Sequence, residues 1–244
     1  MNGVFTQLRA CMTQFFKSAQ RELGLILAFF LLFPLGFLFF LSILVQPSFR
    51  PQILVGSIMM EVALININVL AQSVAQDKQS HFFDLWVSFP VSPLVYVLGN
   101  ALPWLPVSLL TAGVTLAMGI YLFGISVAVA PLLLLVALVL IWSSTTGIGY
   151  LVAVYGGNPR QVNMLAQFVG IVMTFFAPIY YPVTALPLAA QYVAYAWPLT
   201  WGAILLKALF ASNLTQAAIA ILVLSLYTAA GYALIALGLR WRAK

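Results

Sequence analysis

Residues 127–153 read Val-Ala-Val-Ala-Pro-Leu-Leu-Leu-Leu-Val-Ala-Leu-Val-Leu-Ile-Trp-Ser-Ser-Thr-Thr-Gly-Ile-Gly-Tyr-Leu-Val-Ala, without one charged side chain. A helix needs about 20 consecutive apolar residues to cross the hydrocarbon core of a bilayer, and this run exceeds that. Its apolar residues do not alternate with polar ones, so it does not read as a strand of a membrane β-barrel. In hydrocarbon the backbone must satisfy its own hydrogen bonds, which leaves the α-helix. Five more runs of the same kind lie at 24–45, 52–72, 94–123, 164–183 and 214–239. The expected architecture is therefore an all-α integral membrane protein with six transmembrane helices. Pro34, Pro103, Pro106 and Pro131 fall within or beside these runs, where kinks and helix starts accommodate them.

Composition agrees with that reading. Of 244 residues, 64% are hydrophobic and 6% are charged, and the mean hydropathy is +1.10. A soluble domain carries about 25% charged residues to keep its surface hydrated. Six spans and their connections use up the length, so residues 1–244 are expected to form one domain. The net charge of +6 does not point to nucleic acid, because the basic residues are scattered at the ends of apolar runs. Cys11 is the only cysteine, which precludes an intrachain disulfide. No cleavable signal peptide is expected, since the first run begins near Leu23 and is too long for a signal h-region.

Residues 1–22 have a different pattern. Phe5, Leu8, Met12, Phe15, Phe16 and Ala19 recur at helical spacing, with Asn2, Thr6, Arg9, Thr13, Lys17 and Gln20 opposite. An aromatic stripe backed by a basic one describes a helix lying in the membrane interface. With a cytoplasmic N-terminus, Arg9, Lys17, Arg21, Lys78, Arg160, Arg240, Arg242 and Lys244 are inside, and only Arg50 and Lys207 are outside. The positive-inside rule selects that orientation. The chain is thus expected in the cytoplasmic membrane as a multi-pass protein with both termini cytoplasmic.

Two connections depart from plain loops. Residues 184–213, on the outside, stay apolar and aromatic, too short for two full crossings and too hydrophobic for a solvated loop. A re-entrant or interfacial hairpin before the last span is expected there. Residues 73–93 form the longest inner loop. Within it, Gln76–Pro90 places Asp77, His81, Asp84 and Ser88 at helical spacing, with Phe82, Phe83, Trp86 and Phe89 on the other side. Such a helix, stopped by Pro90, either presses on another protein while resting on the membrane or is an interfacial helix that merely caps the bundle.

The residues Asp77-Lys78, Phe83-Asp84-Leu85-Trp86 and Pro90 resemble the first cytoplasmic loop of the ABC transporter type-2 permease family, in which an acidic residue sits in a coupling helix. Asp84 stands where that family usually has glutamate. The run Phe176-Ala177-Pro178-Ile179-Tyr180-Tyr181-Pro182, with Leu186-Pro187, Gln191 and Pro198-Leu199-Thr200-Trp201, resembles the family's proline-punctuated end of span five. Re-entrant helices follow it there, and Lys207 stands where an arginine is usual. The resemblance implies a half-transporter of an ATP-driven exporter. Two permeases, as a homodimer, would pair with two copies of an ABC ATPase subunit docked on the 73–93 loop through Asp77, Lys78, His81, Phe82, Phe83, Asp84, Trp86 and Pro90. Pro178, Tyr180, Tyr181, Pro182, Pro187 and Pro198 would shape a re-entrant outer gate. The chain has no phosphate-binding G-x-x-x-x-G-K-[ST] loop, so ATP and magnesium would bind the partner and this chain would hold no cofactor.

The sequence offers no triad and no metal-ligand cluster, and no enzyme activity is expected of it. Glu61 falls near the middle of span two, where a charge costs about 2.5–3.5 kcal/mol on insertion scales. Ser57, Glu61, Asn68 and Gln72 share a helical stripe there, facing either a dimer seam or export path, or serving as packed polar groups. The outer aromatics Tyr180, Tyr181, Tyr192, Tyr195, Trp197 and Trp201 read equally as gate or as interfacial belt. The competing class is a secondary transporter or channel without an ATPase. It calls for ionisable relays in several spans and often for repeats, and only Glu61 is of that kind.

Overall fold

The computed structural model describes residues 12–13, 23–44, 46–88, 91–124 and 129–237, and among these all regular structure is helical. In chain order the helices are α1 (Leu23–Leu44), α2 (Arg50–Gln79), α3 (Phe82–Ser88), α4 (Pro93–Ala101), α5 (Leu105–Phe123), α6 (Pro131–Tyr155), α7 (Pro159–Phe176), α8 (Leu188–Tyr195), α9 (Pro198–Phe210) and α10 (Leu214–Ala236). The interfacial helix expected over 1–22 lies, apart from 12–13, outside the described residues, as does Pro90.

Helix starts follow local chemistry. Proline occupies the first turn of α2, α4, α5, α6, α7 and α9, where its missing N–H costs nothing. Ser92, Asn158 and Asn213 cap α4, α7 and α10 by accepting from the backbone N–H three residues on, which satisfies an otherwise orphaned donor. Gly124 ends α5 in the left-handed region at φ 66°, a conformation glycine adopts without strain.

Helix α2 is the axis of the bundle. It packs against α1, α5, α6, α7 and α9, and α6 in turn packs against α10. Burial of nearly every residue from Ile53 to Ala75 accounts for its apolarity on all sides. At the α6–α10 crossing a Cβ on Gly147 would stand 2.6 Å from the Cα of Gly231, so the two backbones touch. Small residues permit such approach where lipid offers no hydrophobic drive between helices.

Among the described residues, four helical segments are long and apolar enough to cross a membrane: Pro47–Gln79, Pro93–Phe123, Pro131–Tyr155 and Leu214–Ala236. The pair α8 and α9 meets the same criterion jointly, bent by 89°. Several boundaries differ from the sequence reading. The run read as 164–183 is helical from Pro159 to Phe176, because Asn158 caps it early and the residue before Pro178 leaves the helix. Helix α2 continues past 72 to Gln79, so much of the expected 73–93 loop is helix. The single helical face drawn through Asp77, His81, Asp84 and Ser88 is not formed. His81 adopts φ 59° and breaks the helix between Asp77 and Asp84.

Candidate functional site

The α3 end of the bundle is built around that break. Past Ser80, whose Oγ donates to the Gln76 carbonyl at 2.9 Å, the left-handed His81 turns the chain so that α3 packs against the end of α2. A non-glycine residue in that region is uncommon. Tyr96, on α4 and wholly buried, lies beneath α3. Phe83 meets its ring edge-on at a centroid distance of 5.7 Å, and Trp86 lies tilted at 6.2 Å. The Tyr96 hydroxyl donates to Asp77 Oδ2 at 2.6 Å, and Lys78 Nζ donates to the Ala153 carbonyl of α6 at 2.9 Å. The same ammonium stands 5.6 Å over the Phe83 ring, a cation–π contact.

These contacts sort the residues singled out in the loop. Asp77, Lys78, Phe83 and Trp86 point into the bundle. His81 and Asp84 form an exposed pair, Nδ1 to Oδ2 3.2 Å, with side chains 84% and 76% exposed, and Ser88 is exposed beside them. Phe82 opens α3. Phe83 and Trp86, read as contacts for a partner, fasten α3 to its own chain, and the exposed face is the polar one.

The stripe on α2 is internal. Ser57, Glu61 and Asn68 are buried and Gln72 half-buried. Thr115 Oγ1, from α5, donates to Glu61 Oε2 at 2.9 Å. Asn68 Nδ2 donates to its own helix at the Leu64 carbonyl, 3.1 Å, and Gln72 Nε2 to Asn163 Oδ1 of α7, 3.2 Å. Glu61 therefore faces α5, Gln72 faces α7, and Glu61 does not lie on the surface of the single chain. A buried polar residue absent from the stripe is Asn66. Its Nδ2 reaches the Trp142 carbonyl at 2.6 Å and the hydroxyls of Thr145 and Thr146 at 2.9 and 3.0 Å on α6.

At the other end of α2, the chain after α7 is irregular yet buried at Pro178 and Ile179. Gln52 Nε2 meets its carbonyls, 2.8 Å to Ile179, 3.1 Å to Tyr181 and 3.4 Å to Pro178. Tyr180 fits against Gly56, where a Cβ would run into the ring. Its hydroxyl donates to Met60 Sδ at 3.2 Å, and Phe37 of α1 meets it edge-on at 5.2 Å. Tyr181 and Pro182 are half-buried, Pro187 is exposed just before α8, and Pro198 is buried at the start of α9. At the α8–α9 corner three successive carbonyls are claimed by side chains. Thr200 Oγ1 donates to Ala194 at 2.5 Å, Trp201 Nε1 to Tyr195 at 2.8 Å, and Tyr227 of α10 to Ala196 at 2.8 Å. Helix-end carbonyls need such partners, most of all away from water.

The family model for the ABC-2 type transporter matches residues 6–211, which takes in both α3 and the loop after α7. The chain belongs to the ABC-2 type transporter family. No curated protein compared with it gives a significant match. As an ABC-2 permease it is a multi-pass membrane subunit of an ABC transporter.

Three residues of this ABC-2 permease that tie its helices together escaped the sequence reading: Tyr96, Gln52 and Asn66. Each sits inside an apolar run and works through a partner distant along the chain. Asn66 alone carried a signal, a second amide in the middle of a span, which is costly without a partner.

Proposed function

We propose that this ABC-2 permease is the membrane half of an ATP-driven exporter, working as a homodimer with two copies of a separate ABC ATPase. The carrying observation is α3: a short helix fastened inward by Phe83 and Trp86 that leaves His81, Asp84 and Ser88 exposed for docking. A rigid helix end is what converts rotation of a docked domain into movement of packed spans. ATP and magnesium bind the partner. Membership of the family supports outward transport and the two-by-two assembly.

In this reading the chain crosses the cytoplasmic membrane six times, α1 and α7 joining the four longer spans, with both termini and α3 in the cytoplasm. The count of basic residues supports that orientation. The right-angled α8–α9 corner supports a re-entrant hairpin on the outer side, with Tyr180, Tyr181, Pro178, Pro182, Pro187 and Pro198 shaping the outer gate. A second copy is supported by α7, which turns Val162, Ala166, Gly170 and Met173 inward and leaves Gln161 and Gln167 exposed beside Met164 and Phe168. Amides on a lipid-facing surface are costly, and a protein neighbour satisfies them. The buried Ser57, Glu61 and Asn68 and the half-buried Gln72 then belong to the moving contacts of α2 with α5 and α7 and not to the seam itself.

The test is co-purification of the ATPase with variants of the exposed face. Asp84→Lys combined with Ser88→Arg should insert normally and lose the ATPase, since a like-charge juxtaposition costs several kcal/mol at an interface. Full retention of the ATPase by a normally inserted double variant would sink the docking role of α3. Absence of any ATPase from the wild-type permease would favour the secondary-transporter reading.

A further inference from the structure

The geometry points to Tyr96 as the joint that carries displacement of α3 into the spans, a positioning residue for transport; the inference rests on the docking role of α3 proposed above. Three side chains converge on this one. Phe83 and Trp86 of α3 lie against its ring at 5.7 and 6.2 Å. Asp77 at the end of α2 accepts its hydroxyl at 2.6 Å. Its own helix α4 runs through a single 3-10 turn, Leu102–Trp104, into α5, so what holds Tyr96 also holds that long span.

A third span enters through the neighbouring lysine. Lys78 donates to the carbonyl of Ala153 in the last turn of α6, where helix-end carbonyls lack partners and the helix dipole favours a cation. The same ammonium lies over Phe83. One push on α3 therefore bears on α2, α4–α5 and α6 together. Aromatic contact resists compression but transmits little pull. The phenol–carboxylate bond supplies the pull, because a hydrogen bond to an ionised acceptor is short and about twice as strong as a neutral one. Asp77 and Lys78 thus act on the inner side of α3, and the ATPase meets only its outer side.

The experiment uses the full-length permease in lipid nanodiscs with Cys11 replaced by Ser: a nitroxide at Ser88→Cys on α3 is read in the permease without its ATPase, and one at Tyr192→Cys on α8 in the whole permease–ATPase complex. The first label reports how firmly α3 is held. The second reports the distance between the two copies at α8, read without nucleotide and after trapping with MgATP and vanadate. In the parent complex trapping should shift the distance at 192. Tyr96→Phe keeps the ring and removes only the hydroxyl. It should raise label mobility at 88, retain ATP hydrolysis, and reduce the shifted population by roughly tenfold, the effect of losing a hydrogen bond to a charged group.

Asp77→Asn offers a neutral, weaker acceptor and should give an intermediate shift. The double variant should be no worse than Tyr96→Phe alone, because both changes remove one bond. A full shift at 192 in hydrolysing Tyr96→Phe complexes overturns the joint and leaves the docking role standing. If Tyr96→Phe does not insert, an unchanged shift in Asp77→Asn overturns it instead. If the parent permease binds no ATPase, the docking role falls and takes the joint with it. Loss of the shift with hydrolysis intact separates a joint from a packing residue, whose removal would cost both.

Discussion

Gln52 brings one side-chain amide to the carbonyls of Pro178, Ile179 and Tyr181, and this is what lets irregular chain lie against α2. Gln52→Leu has the same bulk and no donor, so buried carbonyls lose their partner at a cost of about 1–3 kcal/mol. The thermal midpoint in detergent should fall accordingly, with the largest loss of hydrogen-exchange protection at residues 177–182. Glu61 makes the opposite case. Glu61→Leu removes a mid-span charge worth about 2.5–3.5 kcal/mol on insertion scales, so in a translocon-insertion assay the span should insert more readily than wild type. Glu61→Gln keeps an acceptor for Thr115 Oγ1 and should retain the fold. If both variants also leave nucleotide-driven movement of the complex intact, Glu61 only packs. A lone acid in a span is legible in a sequence because its cost is local. Its partner Thr115, 54 residues away, is not, because nothing in the periodicity of one helix fixes the rotation of its neighbour.

The contact of α6 with α10 gives the sharpest expectation for an element. Gly147→Ala sets a methyl group against the Gly231 backbone, and such overpacking costs about 1–3 kcal/mol. Gly113→Ala, in α5, meets nothing within 4 Å and gains helix propensity, so it is the matched control. Thermal unfolding should separate the two, the first lowered and the second unchanged or raised. Most helices were legible, since hydrocarbon thickness dictates length and apolarity. The ends were less so. Polar residues crowd the start of α7, and only the Asn158 cap and Pro159 reveal that the helix begins there. The polar face read through Asp77, His81, Asp84 and Ser88 lost Asp77 for one reason: a 3.6-residue period assumes unbroken helix, and His81 in the left-handed region resets the phase. Phe83 and Trp86 accordingly turn inward toward Tyr96, a residue that looked like any other aromatic at the head of a span.

For the molecule as a whole, the proposed orientation rests on eight basic residues against two and is open to a direct test. In a chain with Cys11 removed, Ser80→Cys should be shielded from a membrane-impermeant thiol reagent, while Phe49→Cys and Ser212→Cys should react; all three positions are exposed. Labelling at 80 from outside would reverse the bundle and detach α3 from any cytoplasmic partner. The fold class and the family were legible at this scale because composition and the two proline-marked motifs extend over the chain. The α8–α9 corner carries a last consequence, for biosynthesis. The Ala196 carbonyl receives its hydrogen bond from Tyr227, 31 residues later in the chain and well inside α10. A ribosome must therefore extend the chain far past the corner before that carbonyl finds its donor. Until then the corner stands without that partner, and it is α10, made after the corner, that lets it settle.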